Sequence, residues 1–425
     1  MNRLLGRALL YIFLLFLPFQ FALNIQEGFD VGIIRPFIIF LFFIWMFVVL
    51  LWEKPRFPRS MIFYVACTFL FFALFSILWA ENQEWALRKG IFLVNFFLLF
   101  VMASWMFTKQ YWSLELLSQG LALSGFVSAV IGIFQWILPF FFGIEKVVLW
   151  WRLYITPFFL GGSFSEVVVE YSSWLVNVGE ETLFRAIAFF PDPHVAAFYW
   201  EICLVWTAIY AYKSKSSGYF FMTGVIFLAL LLTFSRGAYV AIFLLMMGSV
   251  VFFMASFRSI RIVFIISALS LILFSLVFHN NPFFERALSS FSLLDTSNTG
   301  RLEMWERSLE SILEKPWGLG LGGYALEVVP SSDYRDPIYA HNLYLDIAVE
   351  MGVFTLFLWM VWIGISFGEG IRYAKKTLYG LAIAFSLALF SLHAFFDTPL
   401  FSIHVISILF LVLGSVFGLE KKYVV

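Results

Sequence analysis

The chain is poor in charge and in cysteine. Asp, Glu, Lys and Arg make up only 13% of its 425 residues, whereas a soluble domain has roughly 25%. Its 27 basic and 27 acidic residues cancel, so the chain lacks the positive surplus that a nucleic-acid partner requires. The two cysteines, Cys67 and Cys203, both lie in apolar runs. This placement indicates small core residues rather than a disulfide or a metal site.

Apolar sequence is abundant instead. Hydrophobic residues account for 62% of the chain, with 57 Phe and 16 Trp. Apolar runs of about 17–25 residues, the length of a helix that crosses a bilayer, recur from end to end. The composition therefore predicts an all-α integral membrane protein. Hydropathy places about twelve transmembrane helices, near residues 4–24, 32–52, 61–79, 90–107, 114–138, 195–212, 219–234, 238–255, 262–278, 342–367, 378–396 and 400–418.

The basic residues set the predicted orientation of these helices. Loops rich in Lys and Arg alternate with loops whose basic residues are few, namely Arg35, Arg88, Lys89 and Arg236. The positive-inside rule places the Lys- and Arg-rich loops and both termini in the cytoplasm. The first apolar run lacks a signal-peptide cleavage site and is expected to be retained.

Two long segments then lie outside the cytoplasm and divide the chain into five predicted regions. Transmembrane helices are expected at 1–138, 195–278 and 342–425. The outer segments are 139–194 and 279–341, the second with an amphipathic helix. Chemistry on this outer side has no direct access to cytosolic nucleotide sugars or ATP.

The most informative stretch runs from Tyr339 to Asp346. His341 follows a long polar segment and is expected to open an apolar helix. In the first turn of a helix the dipole disfavours a protonated imidazole, which leaves the neutral ring that a general base needs. A structural histidine at the membrane interface is an equally good interpretation. Other histidines of the chain illustrate that alternative: His194, His279, His393 and His404.

Arg301 lies at the start of a predicted amphipathic helix. Asn298 or Thr299 is expected to cap this helix, and Pro316 with the glycine run 318–323 is expected to end it. An arginine at a helix N-terminus is well placed for bidentate contacts with phosphate. A solvated arginine that pairs with a neighbouring glutamate, Glu303 or Glu306, is the alternative. The predicted buried stripe of the helix consists of Leu302, Trp305, Leu309 and Ile312.

Arg236 interrupts the apolar sequence 231–239. An arginine at mid-membrane costs about 2.5–3.5 kcal/mol on insertion scales, which makes Arg236 a candidate for a functional site. An arginine that extends its side chain to the interface is the alternative. The glycine run 318–323 has no Lys-Ser/Thr after it and no strand before it. It is therefore expected to form a tight turn near the site rather than a nucleotide-binding loop.

Four further residues are expected to support these three. Asp397, at an outer helix end, is placed either to orient a site residue or to cap its own turn. Glu350 is expected to form hydrogen bonds within the helix bundle. Arg185 and His194 end the first outer segment and are assigned to the surroundings of the site.

Three motifs in this order resemble the O-antigen ligase and O-antigen polymerase superfamily. They are Ser-Arg-Gly at 235–237, Gly-Arg-Leu-Glu-Met-Trp at 300–305 and His-Asn-Leu-Tyr-Leu at 341–345, with Glu350 and Gly352 beyond. The stretch Pro-Asp-Pro-His at 191–194 departs from the Asn-Pro-Asn-like sequence of many members. The resemblance covers roughly residues 185–400, while the first five spans match only in being hydrophobic.

The resemblance implies a multi-pass glycosyltransferase of the bacterial inner membrane that needs no metal or cofactor. Such an enzyme takes a glycan from undecaprenyl pyrophosphate on the periplasmic face and transfers it to an acceptor sugar, lipid A–core in ligases or another lipid-linked repeat in polymerases. By matching positions, Arg236 and Arg301 would hold the pyrophosphate and His341 would activate the acceptor hydroxyl. The absence of a nucleophile–base pair favours direct attack with inversion.

Two other functions remain open. A metal-dependent lipid-linked glycosyltransferase would use acidic residues of the first outer loop, where Glu27 and Asp30 lie. A flippase or transporter of lipid-linked glycan would be expected to show internal repeats and broken helices at mid-membrane. The motifs do not separate ligase from polymerase, and they leave open the sugars, the oligomeric state and the role of segment 139–194.

Overall fold

The computed structural model describes residues 3–26, 29–52, 60–170, 173–178, 181–256, 296–328 and 339–419, which are mostly helical. The helices are α1 (Arg3–Phe16), α2 (Ile34–Trp52), α3 (Met61–Phe75), α4 (Gln83–Thr108), α5 (Leu114–Phe142), α6 (Ile144–Trp150), α7 (Thr156–Leu160), α8 (Gly162–Glu170), α9 (Pro193–Ser214), α10 (Ser217–Leu231), α11 (Arg236–Ser256), α12 (Thr296–Glu314), α13 (Gly323–Val328), α14 (Leu343–Met351), α15 (Val353–Ala374), α16 (Leu378–His393) and α17 (Ile403–Ser415). Two antiparallel hairpins pair β1 (Ala22–Gln26) with β2 (Phe29–Gly32) and β3 (Leu175–Val178) with β4 (Glu181–Phe184).

Five of the described helices are long and apolar enough to cross a membrane, as an all-α membrane protein requires. They are Met61–Trp79, Gln83–Thr108, Leu114–Phe142, Pro193–Ser214 and Val353–Ala374, and shorter apolar helices accompany them. The predicted span 262–278 lies outside the described residues. The number of spans, their orientation and the division into five regions stay predictions.

Helix α9 lies at the centre of the bundle and packs on α5, α10, α16 and α17. Small residues allow this close approach, as is common between membrane helices. A Cβ added at Gly125 of α5 would lie 2.6 Å from the Cβ of Cys203, and one added at Gly132 would lie 2.7 Å from the Trp200 ring. Cys203 and Cys67 are both free thiols, and Cys203 is fully buried. The N-terminus of α9 is thereby fixed next to the site described below.

The predicted span 342–367 is not one continuous helix, because the chain breaks at Gly352. Helix α14 ends at Met351, Gly352 has a φ of +87°, and α15 begins at Val353. The glycine run docks on this break: Leu319 N–H donates to Val349 O at 2.7 Å, and Gly320 N–H donates to Glu350 O at 2.9 Å. The run therefore forms the tight turn that the sequence predicted, and it holds α14 as a separate short helix.

Replacing Gly352 by alanine is expected to destabilise the protein by about 1–3 kcal/mol, because the positive φ strains an L side chain. The new Cβ would also lie 2.6 Å from Trp317 O, a backbone atom that cannot move aside. Gly364→Ala is the matched control, since it lies in α15 and a Cβ added there would meet no atom within 4 Å. Thermal unfolding of the purified proteins measures the difference. An unchanged midpoint for Gly352→Ala would contradict the tight docking.

Helix α12 differs from its prediction at the start and along its buried face. Asn298 and Thr299 lie within the helix, which already includes Thr296, so neither caps it. Leu302 and Leu309 are 47% and 53% exposed, whereas Ser308 is fully buried. Ser308 faces the core because its hydroxyl contacts the Tyr324 hydroxyl at 3.1 Å. Trp305 and Ile312 do pack against the core, and the helix ends before Pro316 as predicted.

Candidate active site

The loop that carries His341 is held through both backbone polar groups of Ala340. Ala340 N–H donates to Asp346 Oδ1 at 2.9 Å, and Trp305 Nε1–H donates to Ala340 O at 2.9 Å. His341 follows with a φ of +50°, in the left-handed region. The expectation that His341 opens the helix is wrong, because it precedes the capping residue Asn342. The imidazole therefore projects from a braced turn and not from a helical one.

Asp397 lies between two histidines that are distant in sequence. Its Oδ1 is 3.5 Å from His341 Nδ1, and its Oδ2 is 3.6 Å from His194 Nδ1. Thr398 N–H donates to Asp397 Oδ1 at 2.8 Å, and the Thr398 hydroxyl donates to Asp346 Oδ2. Asp346 therefore ties the His341 loop to the Asp397 loop. Asp397 lies close to both histidines and also accepts a hydrogen bond within its own turn, so its position is compatible with both of the roles predicted for it.

This pairing changes the electrostatics expected for His341. Burial lowers the pKa of the imidazole, but the hydrogen bond and the charge of Asp397 raise it, Arg301 lowers it, and the net pKa is above the ordinary value. The expected lowering by the helix dipole is thus outweighed, because His341 stands outside the helix and next to a carboxylate. Burial raises the pKa of Asp397, but His194 and His341 lower it more strongly, and the carboxylate stays ionised at neutral pH.

His194 is placed by the N-terminus of α9. Asp192 caps this helix, with its Oδ1 accepting the N–H groups of His194 at 2.7 Å and Val195 at 2.8 Å. Burial and the nearby charge of Asp397 raise the pKa of Asp192 to about 6. The stretch Pro-Asp-Pro-His at 191–194, which departs from the Asn-Pro-Asn-like sequence, thus contains both the cap of α9 and a histidine of the candidate site.

The two arginines lie at different kinds of position. Arg301 is half-buried in the second turn of α12, so its predicted place at a helix N-terminus is wrong. Its charge acts on both His341 and His194. Arg236 is the first residue of α11 and follows Ser235, whose Oγ is 3.0 Å from His194 Nδ1. The N-terminus that favours anions therefore belongs to Arg236.

The remaining predicted residues support the fold around the site. Arg185 is buried and donates to Thr233 O at 2.6 Å and to Ser173 O at 3.0 Å, which holds the turn before Ser235. Glu350 forms a buried ion pair with Lys89 at 2.6 Å and so joins α14 to α4. Lys89, predicted from the sequence only as a loop cation, therefore lies buried within α4.

Three buried polar residues behind the site were not predicted as site residues. Ser235 Oγ lies 3.3 Å from His393 Nε2, and His393 Nδ1 lies 3.1 Å from Glu201 Oε2. The signal for Glu201 is present in the sequence, since a single carboxylate inside an apolar helix is costly and usually functional. Asp30 of the metal-dependent alternative accepts the Phe164 N–H at 2.8 Å, and Glu27 lies outside the described residues.

Comparison with known proteins relates part of the chain to one family. Residues 221–360, about a third of the chain, match the family model of O-antigen ligase. The matched range contains Arg236, Arg301 and His341, whereas His194 and Asp397 lie outside it and join the site through the fold. No curated protein matches the chain significantly. The resemblance carried by the motifs is thereby confirmed over residues 221–360, where the chain is similar to the O-antigen ligase family.

Proposed function

We propose that the protein is a glycosyltransferase that moves a glycan from undecaprenyl pyrophosphate to an acceptor sugar on the periplasmic face of the bacterial inner membrane. The O-antigen ligase match supports a function of the ligase or polymerase type. The donor, the side of the membrane and the independence from metal are our proposals. Lipid A–core is the proposed acceptor, and a second lipid-linked repeat, as in a polymerase, is the alternative.

The pair formed by His341 and Asp397 carries this proposal. When Asp397 accepts the proton on Nδ1, the Nε2 atom of His341 keeps a lone pair. That nitrogen can take the proton from an acceptor hydroxyl as a sugar–oxygen bond forms. His341 is 47% exposed, so a substrate can reach it. The raised pKa strengthens the imidazole as a base while Asp397 stabilises the imidazolium that forms.

The arginines are proposed to stabilise the leaving group. Negative charge grows on the pyrophosphate as the sugar–phosphate bond breaks, and fixed cations at that point lower the barrier. Arg301 lies within electrostatic reach of both site histidines. Arg236 adds the N–H groups of the first turn of α11. We propose that the two arginines grip the pyrophosphate and His341 faces the acceptor.

Direct attack by the acceptor predicts inversion at the anomeric carbon. Ser235 and His393 have the spacing of a nucleophile and its base, which was not expected from the sequence. The Ser235 hydroxyl is, however, fully buried and lies between two histidines. A glycan product with retained configuration would contradict direct attack and point to a glycosyl-serine intermediate.

Purified protein, lipid-linked glycan and acceptor test the function together. We expect covalent transfer that continues in excess EDTA. Loss of transfer with EDTA and recovery with a divalent cation would favour the metal-dependent alternative. Movement of labelled lipid across vesicles without a covalent product would favour a transporter. In cells that lack the gene, bare lipid A–core indicates a ligase, and core with one repeat indicates a polymerase.

The pH dependence of transfer reports the Asp397–His341 pair. Because Asp397 raises the pKa of His341, Asp397→Asn is expected to lower this pKa and to shift the acidic limb of kcat/KM to lower pH. Asp397→Asn is also expected to lower the pKa of Asp192, since the charge of Asp397 raises that pKa as well. Glu303→Gln, an exposed carboxylate on α12, is the control and should leave the profile unchanged. A shift of the limb to higher pH would contradict the pairing.

A further inference from the structure

A chain of polar side chains leads from the candidate site into the protein. His194 Nδ1 lies 3.0 Å from Ser235 Oγ, which lies 3.3 Å from His393 Nε2. His393 Nδ1 in turn lies 3.1 Å from Glu201 Oε2. Ser235 and His393 are fully buried and Glu201 is 1% exposed. Only His194, at the outer end, is accessible from the site, with a side chain 22% exposed.

The inner end of this hydrogen-bonded series is a buried carboxylate, which is energetically unfavourable. Glu201 lies two turns into α9, roughly 12 Å from the first residue at a rise of 1.5 Å per residue. Its second oxygen, Oε1, has no hydrogen-bond partner among the described residues. A carboxylate that is buried and only half satisfied destabilises a fold, so its presence calls for a functional explanation.

Two neighbouring residues pack closely against the His393 ring, which lies between Ser235 and Glu201. The Phe198 ring stacks on His393 with centroids 3.7 Å apart and planes 12° apart. A Cβ added at Gly237 would lie 2.8 Å from His393 Cδ2 and 3.1 Å from its Nε2. Glycine at 237 therefore lets the turn that carries Ser235 approach the His393 ring. This contact gives the Ser-Arg-Gly motif a physical reason beyond its arginine.

The hydrogen-bond directions proposed here take Glu201 as the ionised partner in its 3.1 Å pair with His393. Glu201 accepts the proton on His393 Nδ1, so His393 Nε2 has a lone pair and accepts the Ser235 hydroxyl proton. Ser235 Oγ then accepts the proton on His194 Nδ1, toward which Asp397 Oδ2 also points. His194 Nε2, the ring's other nitrogen, is left as an acceptor.

We propose that Glu201, His393 and Ser235 form a buried relay that orients His194 and fixes its Nδ1–H tautomer, making His194 Nε2 a second hydrogen-bond acceptor of the site. Such an acceptor binds a hydroxyl group and not a phosphate oxygen. The inference rests on the proposed function in assigning that hydroxyl to a sugar of the donor or acceptor glycan. Glu201, His393 and Ser235 are positioning residues, because they act through His194.

Nitrogen NMR of histidine-labelled protein in lipid nanodiscs tests the relay without any substrate. The chain has only five histidines, and His194→Gln and His393→Gln assign the two signals. We expect both rings to carry their proton on Nδ1 in the wild type. In Glu201→Leu, His393 is expected to move its proton to Nε2, because Ser235 Oγ becomes its remaining acceptor.

Two matched variants separate the relay from general disturbance of α9. Glu201→Gln keeps an acceptor oxygen and should keep the Nδ1–H tautomer of His393. Thr207→Val removes another buried hydroxyl of α9, one that bonds to Cys203 O within the same helix, and should leave both tautomers unchanged. A wild-type His393 that is protonated on Nε2, or on both nitrogens, overturns the proposal even if Glu201→Leu fails to fold. An unchanged tautomer in folded Glu201→Leu overturns it as well.

Transfer kinetics test the link to the site. Ser235→Ala and Glu201→Leu are expected to lower kcat by at least about tenfold, with the KM for the lipid-linked donor unchanged. Glu201→Gln is expected to retain most activity. Normal kcat in Ser235→Ala would overturn the role assigned to the relay. If the wild type transfers no glycan while its tautomers are as expected, the proposed function fails and the relay stands.

Discussion

Replacing His341 by alanine is expected to lower glycan transfer by about 10²- to 10⁴-fold, the contribution typical of a positioned general base. The loss should fall on kcat, because proton removal from the acceptor belongs to the transition state. The fold should survive, since the side chain is 47% exposed and its turn is held by Trp305 and Asp346 through Ala340. Transfer assays with purified variant measure the effect.

Added imidazole provides the control for this prediction. The cavity left by His341→Ala opens to the site and Asp397 remains to orient a free imidazole, so partial recovery of transfer is expected. The same addition should not restore Asp397→Asn. Wild-type transfer by His341→Ala would rule out the role of a base, and a variant that loses its thermal transition would indicate a structural histidine instead.

Replacing Arg301 by alanine is expected to lower transfer by about 10²- to 10³-fold, the loss typical for one group that stabilises developing negative charge. Arg301→Lys should recover only part of this loss, because an ammonium group cannot form the bidentate contact of a guanidinium with pyrophosphate. Arg307→Ala is the matched control, since Arg307 is an exposed arginine further along α12.

Binding of the leaving group separates the role of Arg301 from that of His341. Undecaprenyl pyrophosphate should inhibit the wild type and His341→Ala at similar concentrations, and Arg301→Ala only at much higher ones. The same pattern is expected for Arg236→Ala. Equal inhibition of all four proteins would contradict the assignment of the arginines to the pyrophosphate.

Much of the fold follows from local sequence, and the errors come from contacts between distant segments. Hydropathy located the apolar helices because a bilayer span requires only a run of apolar residues. It missed the break at Gly352, which depends on the docking of the glycine run 318–323. It also misjudged the buried face of α12, where Ser308 rather than Leu309 turns inward to meet Tyr324.

The candidate site shows the same contrast between residues that local sequence predicts and contacts that only the fold creates. His341, Arg236 and Arg301 can be proposed from the sequence because their residue types are costly or reactive at a membrane surface. Their electrostatics could not be predicted, since the sequence does not place Asp397 beside the His341 imidazole. The proposed relay behind His194 was not predicted for the same reason: Glu201, Ser235 and His393 come from three distant segments that meet only in the fold.

The most direct measurement is the ratio of the two products, glycosylated acceptor and undecaprenyl pyrophosphate, in a single reaction. Purified protein with undecaprenyl-pyrophosphate-linked glycan and acceptor should form one glycosylated acceptor for each undecaprenyl pyrophosphate released, with inverted configuration, and with excess EDTA present. His341→Ala should form neither product at a comparable rate. Release of undecaprenyl pyrophosphate without glycosylated acceptor, or undiminished turnover by His341→Ala, would contradict the account.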